Sequence, residues 1–201
     1  MVKVHNPAYL HEYDSPIGML LLASDGERLC GLWLEGQKYF AHRLYERFGY
    51  KDARSLDDLT VIRDEEASAV PGIAAACRWL DVYFKGRDPG ALPPVGLHGT
   101  SFQERVWRQL ERIPYGRLTT YGDIGRALEQ EAAGGRKVSS RAVGGAVGRN
   151  PVSIIVPCHR VVGASGSLTG YAGGIDRKIQ ILRLEGIDTD RLKVPMHGTA
   201  L

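Results

Sequence analysis

The sequence predicts an α/β protein in two parts: an N-terminal antiparallel three-stranded sheet with helices, and a mostly helical C-terminal part containing a helix-turn-helix. Three observations carry this. Residues 9–34 alternate strand-like runs with turn dipeptides. A Pro- and Gly-rich stretch, KGRDPGALPPVGLHG, then breaks the pattern near residue 95. Beyond it come three short amphipathic segments, each preceded by a hydroxyl residue suited to capping a helix. The expected boundaries are 1–92 for the first domain and 93–187 for the second, with 188–201 as a mobile tail.

The elements follow in order. YLHEYDSPIGMLLLASDGERLCGLWLEG holds two turn signals, Ser15-Pro16 with Gly18 and Asp25-Gly26, which separate strands near Tyr9–Tyr13, Met19–Ala23 and Leu29–Leu34. Phe40, Leu44 and Phe48 share one face of a helix expected over 38–48, and GYKDARSLDDL reads as a loop. A helix over 67–84 aligns Ile73, Cys77, Leu80 and Phe84, with Pro71 in its first turn. In TSFQERVWRQLERIPYG, Ser101 and Glu104 fit a capping box. TTYGDIGRALEQ is a second short helix capped by Thr119 or Thr120, and VSSRAVGGAVGRN a third, capped by Ser139 or Ser140. Helix, turn, helix in this size range is the outline of a DNA-binding unit, with Arg141 near the contacting end. The third helix carries Ala142, Gly144, Gly145 and Ala146; such small residues permit either close approach of a ligand or tight helix packing. VSIIV reads as a buried strand, and IDRKIQILRLEG as a last helix.

Composition narrows the class. The chain has 201 residues, 43% hydrophobic and 24% charged, enough for a sizeable core without staples. Three cysteines, Cys30, Cys77 and Cys158, stand far apart, which argues against a disulfide framework and for reduced thiols. No apolar run nears the ~20 residues that span a bilayer, and the first residues lack a signal-peptide core. The expectation is a cytoplasmic protein with no membrane contact. The net charge of +3 is uneven: residues 1–98 hold 11 Lys and Arg against 14 Asp and Glu, residues 99–201 hold 15 against 9. No acidic residue falls between Ala132 and Ile175, where Arg136, Lys137, Arg141, Arg149 and Arg160 stand. Such a field suits nucleic acid; a solvated basic face is the equal alternative on charge alone.

The chemistry concentrates in IIVPCHRVVG, residues 154–163. Pro157 cannot donate to a ladder, so the expected strand lapses just before Cys158. A thiol of reference pKa ~8.5 needs a base, and His159 is adjacent. Neighbouring side chains diverge in extended chain, so a bridging water is the easier route. Glu185, near the end of the last helix, is a candidate partner for the histidine. A Cys–water–His–Glu relay is one reading; an inert buried cysteine, as expected for Cys30 and Cys77, is the other.

PCHRVVGASGSLTGYAGGIDRKIQILRLEG resembles the active-site segment of O6-alkylguanine-DNA alkyltransferases, also called methylated-DNA–protein-cysteine methyltransferases. GTSFQERVWRQLERIPYGRLTTYGDIGRAL, SRAVGGAVGRNPVSIIVPCHR and LTGYAGG appear in the family's order, so residues 98–187 match closely. DSPIGMLLLAS and AAACRWLDVYFKG resemble the variable first domain more loosely. The resemblance implies irreversible, single-turnover transfer of an alkyl group from O6-alkylguanine, and from O4-alkylthymine, in DNA to Cys158. It implies His159 as base through water, Glu185 as its support, and Tyr121 as steering group and proton donor. Arg141 would replace the flipped base, Asn150 would hold the junction between helix and strand, and Ser140, Ala142, Gly144, Arg149 and Arg136 would meet double-stranded DNA through its minor groove. Tyr171, Ala172 and Gly173, with Val161 and Met19, would line the base pocket. A monomer without cofactor is expected. Some relatives carry zinc in the first domain; His98 is suitably placed, but Cys30 lacks the accompanying Cys and His pattern, so no metal is expected. EQEAAGGRKVSS is longer than the family's usual turn, which puts the turn of the helix-turn-helix in question.

Two other functions fit parts of the chain. A cysteine hydrolase built on Cys158 and His159 would turn over repeatedly. A regulator or lesion marker would bind DNA without transfer; the presence of Cys158 disfavours it.

Overall fold

The computed structural model describes residues 9–41, 44, 60–132 and 137–194. Strands β1 (Tyr9–Ser15), β2 (Gly18–Ser24) and β3 (Leu29–Leu34) form the expected antiparallel meander. A two-residue strand, β4 (Thr60–Val61), adds parallel to β1, giving the order β3-β2-β1-β4. The β1–β2 turn closes through Gly18, whose φ of +108° is open to glycine at no steric cost. Alternation with period two sends Leu20, Leu22, Leu32 and Leu34 into one cluster and Leu21, Ala23 and Trp33 into another; a register shift between the Ala23–Gly31 and Ser24–Leu29 pairs puts Cys30 with the second set, so both sheet faces are covered.

Helices α1 (Asp64–Ala67) and α2 (Pro71–Tyr83) follow, and α2 lies on the sheet through Ile73, Ala76, Leu80 and Tyr83. The C-terminal part contributes α3 (Ser101–Glu111), β5 (Thr119–Thr120), α4 (Tyr121–Glu131), α5 (Ser140–Val147), a 3₁₀ turn at Cys158–Arg160, β6 (Val161–Val162) and α6 (Ile175–Leu184). Helices α3, α4 and α5 pack on one another, and the indole of Trp107 donates to the Ala146 carbonyl at 2.9 Å.

The edge of β3 is where the halves meet. Leu29 bridges to Val95 and Leu32 to Val152, both parallel. An open edge is a template for unwanted pairing, and these bridges cap it from within the chain. One hydrophobic cluster then runs through both halves, from Leu20 and Leu80 to Leu110, Val143 and Val156. Burying one such leucine contributes on the order of 2 kcal/mol. The sheet therefore anchors the segment that leads to Cys158.

Several expectations are corrected. Residues 38–41 are turns, not the start of a helix: Tyr39 and Ala41 have φ of +63° and +50°, and the Lys38 N–H donates to the Ala172 carbonyl at 3.0 Å. A tertiary contact overrides the local period there. Most of the remainder of that helix, and the loop expected over 49–59, lie outside the described residues. The helix expected over 67–84 is broken at Ser68–Val70 and restarts at Pro71, which fits the first helical position because its missing N–H is not needed there. Its inward stripe also turns: Tyr83 is buried, whereas Cys77 and Phe84 are only half-buried. The capping box of α3 sits one residue earlier than expected, with Thr100 accepting from the Gln103 N–H at 3.3 Å and Gln103 accepting from the Thr100 N–H at 2.9 Å.

VSIIV is buried but is not a strand. After the single bridge at Val152 the chain coils, with Ile154 at φ +69° and the Val156 N–H donating to the Val152 carbonyl at 3.0 Å. A β-branched residue in this region is strained and persists only where its surroundings hold it. Asn150 does so, as its amide donates to the Val156 and Val152 carbonyls at 2.8 and 3.2 Å and its carbonyl accepts from the Val152 N–H at 3.1 Å. The segment after 187 is likewise tied down where described: the Leu168 N–H donates to the Lys193 carbonyl at 2.9 Å, and the Arg183 guanidinium donates to the Thr189 hydroxyl at 2.8 Å. Residues 195–201 lie outside the described residues.

Candidate active site

Three elements bring the reactive groups together. The 3₁₀ turn carries Cys158, His159 and Arg160 in sequence, and all three are buried. Leaving extended geometry here removes the divergence that an extended chain would impose on neighbours. Helix α6 ends at Leu184 and presents Glu185 as its cap residue, directly against the turn. Helix α4 begins at Tyr121, with Thr120 capping it and Asp123 completing the box.

Glu185 is the hub. Its Oε1 accepts from His159 Nε2 at 2.7 Å, and its carboxylate is forked by Arg160, Nε to Oε2 and Nη2 to Oε1 at 2.9 Å each. The Gly116 N–H and the Tyr83 hydroxyl complete the shell at 3.1 and 2.5 Å. Burial alone would raise this carboxyl; the hydrogen bonds from His159 and Arg160, with the Arg160 charge, outweigh it and hold the group at about 2. Glu185 is thus ionised at neutral pH and can only accept, so His159 Nε2 carries the hydrogen. Burial pushes the imidazole below its ordinary value despite the support of Glu185, which keeps it neutral. Its Nδ1 is buried without a hydrogen-bond partner, so a proton-accepting lone pair remains unspent.

Cys158 lies beside this base. Burial pushes the thiol up, while the Asn150 hydrogen bond and the Lys178 charge pull it down. It is not a preformed thiolate and needs a base at the moment of reaction. Lys178 is itself buried, with Nζ donating to the Val161 and Thr169 carbonyls at 2.6 and 3.2 Å, and burial lowers it to about 8. The thiolate would oppose that lowering.

Over the site opens a cavity of about 540 Å³ whose walls include Tyr121, Arg141, Gly144, Gly170, Tyr171 and Ala172. That is room for a small planar ligand. Cys158 is not itself on that wall; it lies close enough to Tyr121 and Tyr171 that its charge raises both phenols, beyond the larger effect of their burial. Tyr121 donates its hydroxyl to the Thr169 carbonyl at 2.8 Å. Gly170 has φ +80° and an added Cβ would collide with that hydroxyl, so only glycine fits.

On the cavity's other side α5 is capped by Ser139 and exposes Ser140, Arg141 and Ala142. An added Cβ at Gly144 or Gly145 would meet only ordinary contacts, 3.8 Å from Tyr121 and 3.6 Å from Arg149. Tight helix packing therefore does not demand these glycines, and the small-residue face is open to a ligand. Arg149 is exposed and stands over the Tyr39 ring at 4.9 Å.

The other predicted residues fall elsewhere. Gly173 packs against the Tyr171 ring behind the wall. Val161 is fully buried in β6 opposite Thr119, and Met19 pairs with Asp14 on β2; neither lines the cavity. Arg160 is no part of the basic surface, being spent on Glu185 and the Ile113 carbonyl. Arg136 lies outside the described residues. Sequence reasoning missed Tyr83 and Lys178 at the site and Lys38 and Tyr39 at the cavity. Lys178 left one signal, a cation on the stripe of an amphipathic helix; Tyr83 left none, since aromatics on such a stripe read as core. Among the described residues, no three His, Cys, Asp or Glu side chains are placed to hold a metal ion, and no helix is long and apolar enough to cross a membrane.

Comparison with known proteins shows the family. Residues 101–187 match the family described as 6-O-methylguanine DNA methyltransferase, DNA binding domain, and residues 8–90 match its ribonuclease-like domain. A methylated-DNA–protein-cysteine methyltransferase of Mycobacterium leprae is 42% identical over 172 residues, 86% of this chain and 88% of that protein. The constitutive enzyme of that name from Bacillus subtilis is 34% identical over 180 residues, 89% of this chain and 96% of that one. A crystal structure of Mycobacterium tuberculosis OGT in complex with DNA superposes with a TM-score of 0.67 at 38% identity, covering 92% of this chain and 94% of that one. This chain belongs to the 6-O-methylguanine DNA methyltransferase family.

Proposed function

We propose that this protein repairs DNA by direct reversal, moving the methyl group of O6-methylguanine onto Cys158 and ending its own activity in doing so. The observation that carries the reading is the hydrogen-bonded chain Glu185–His159, with Nδ1 unspent, next to a buried thiol beneath a nucleobase-sized cavity. The M. tuberculosis structure with DNA supports the same partner.

A guanine O6 substituent inside a duplex is out of reach, so the base must leave the stack, at a cost of a few kcal/mol. Arg141 on the exposed end of α5 fills the gap, and the open face around Gly144 admits the minor groove. Ser140, Ala142 and Arg149 lie along the same approach. Tyr171 and Ala172 receive the base. His159 Nδ1 takes the thiol proton through one water. The sulfur attacks the methyl carbon from behind, the carbon–oxygen bond breaks, and its electron pair passes to the purine. The purine then takes a proton, with Tyr121 as donor once its hydroxyl leaves the Thr169 carbonyl, and the phenolate is refilled by the proton that His159 took from the thiol. In the balance, methyl and proton exchange places, giving S-methylcysteine and guanine. A thioether has no leaving group that water can displace, so no second turnover follows. The same displacement applies to O4-alkylthymine. The protein acts as a monomer, in the cytoplasm, where thiols stay reduced.

Excess duplex DNA containing O6-methylguanine should add one methyl group per chain by intact mass, located on Cys158 by peptide mapping. Repeated turnover would point to a hydrolase, and binding without added mass to a lesion marker.

A further inference from the structure

Glu185 has more donors than are needed to hold one imidazole, and one comes from the other half of the molecule. The Tyr83 hydroxyl, at the end of α2, donates to Glu185 Oε1 at 2.5 Å. Its oxygen stands 3.3 Å from His159 Nε2. The residue is 0% exposed. Its ring is stacked on Trp79 at 5.0 Å and 15° and meets Phe84 and Tyr115 edge-on. A ring gripped in this way cannot swing its hydroxyl elsewhere. Burial and the neighbouring carboxylate keep the phenol protonated, so it remains a donor. Its single proton goes to Glu185, which leaves a lone pair towards Nε2. With a carboxylate oxygen on one side and a phenol oxygen on the other, Nε2 must carry hydrogen, and Nδ1 is left as the acceptor.

We propose that Tyr83 is a positioning residue for methyl transfer: it secures Glu185 and the Nε2–H tautomer of His159, and so places the catalytic base under the control of the N-terminal half. The proposal rests on Cys158 being the methyl acceptor. The charged and titratable groups around His159 are Cys158 and Arg160 on its own turn, Lys178 and Glu185 from α6, Tyr83 from α2 and Tyr171 from the cavity wall. Removing the Tyr83 hydroxyl removes no charge, and Tyr83 is not a wall of the cavity.

Tyr83→Phe keeps the ring stack and deletes the hydroxyl. Glu185 then shares its charge with one donor fewer, and His159 holds a proton more tightly. In single-turnover kinetics at saturating DNA, the acid limb of the rate–pH profile should move up by about one pH unit. At a pH on that limb the rate should fall roughly tenfold, with DNA affinity unchanged. A uniform fall in rate with the limb in place would mean a merely structural role and overturns the proposal. Nitrogen-15 NMR of ring-labelled histidine in the unsubstituted protein should show hydrogen on Nε2 and none on Nδ1 of His159; the reverse tautomer overturns it, whether or not the variant folds. An unsubstituted protein that adds no methyl group to Cys158 overturns the functional reading, and this role with it. Methylation by the unsubstituted protein together with an unmoved limb in the variant overturns the Tyr83 role alone.

Discussion

Cys30 and Cys158 are buried almost equally, at 4% and 5% exposure, and their surroundings could hardly differ more. Cys30 sits in β3 among Leu10, Leu21, Ala23 and Trp33, its thiol donating to the Arg28 carbonyl at 3.3 Å. Cys158 sits among Asn150, Lys178 and His159, with the Glu185–Arg160 pair one shell out. Burial alone raises a thiol and makes it inert. What separates a nucleophile from a packing residue is the supply of a hydrogen-bond donor, a cation and a neutral base within the same burial.

The strongest way to break this comparison is to exchange the two sites' fates. Cys158→Ala should abolish methyl uptake while DNA binding persists in a mobility assay, and Cys30→Ala should leave uptake at one methyl per chain by mass. Uptake surviving in Cys158→Ala would end the account.

Next is the charge behind the base. Glu185→Gln leaves the Arg160 guanidinium buried without its counter-charge, which should cost about 3–5 kcal/mol in chemical denaturation and reduce transfer to background. The carboxyl is held at about 2, below its ordinary 4.5. Its contribution to stability is therefore complete above pH 4.5 and is lost as pH falls from there towards 2. Urea midpoints for the unsubstituted protein should drop through that window, and Glu185→Gln should flatten the drop.

The exposed side of the site should respond more gently. Arg141→Ala should slow repair of a lesion within duplex DNA by roughly tenfold, about 1.4 kcal/mol, and leave reaction with free O6-methylguanine base unchanged. Equal slowing of both would place Arg141 in the chemistry rather than in the stack. The smallest effect is expected at the exposed Arg112–Glu131 pair, 3.0 Å apart. Glu131→Gln should change stability by less than about 1 kcal/mol, which measures how far the Glu185 pair owes its importance to burial.

Much of the fold was legible. The three strands announced themselves through period-two alternation and two turn dipeptides, and α3, α4 and α5 through caps and apolar stripes. Errors arose where a distant segment decided local conformation. Lys38 pairs with Ala172 instead of starting a helix, and Val152–Val156 coils around the Asn150 side chain instead of extending. Around the site the structure gathers Cys158, His159, Glu185, Tyr121 and Tyr171, whereas Val161 is a core residue and Met19 stands half-buried on β2, away from the cavity. Hydrophobicity cannot tell a pocket wall from a core position, because both are apolar and both are buried.

By itself the sequence determined the secondary elements with strong periodicity, the placing of a cysteine, a histidine and an arginine in consecutive positions, and the basic bias of the C-terminal half, because each is written in neighbouring residues. Only the tertiary structure decided that Tyr83 reaches Glu185, that Arg160 is an internal counter-ion rather than a surface charge, and that Lys178 is buried near the thiol. Those are encounters between residues far apart in the chain, up to 102 positions for Tyr83 and Glu185. Their geometry follows from how helices and sheet pack, which no local pattern of residues records.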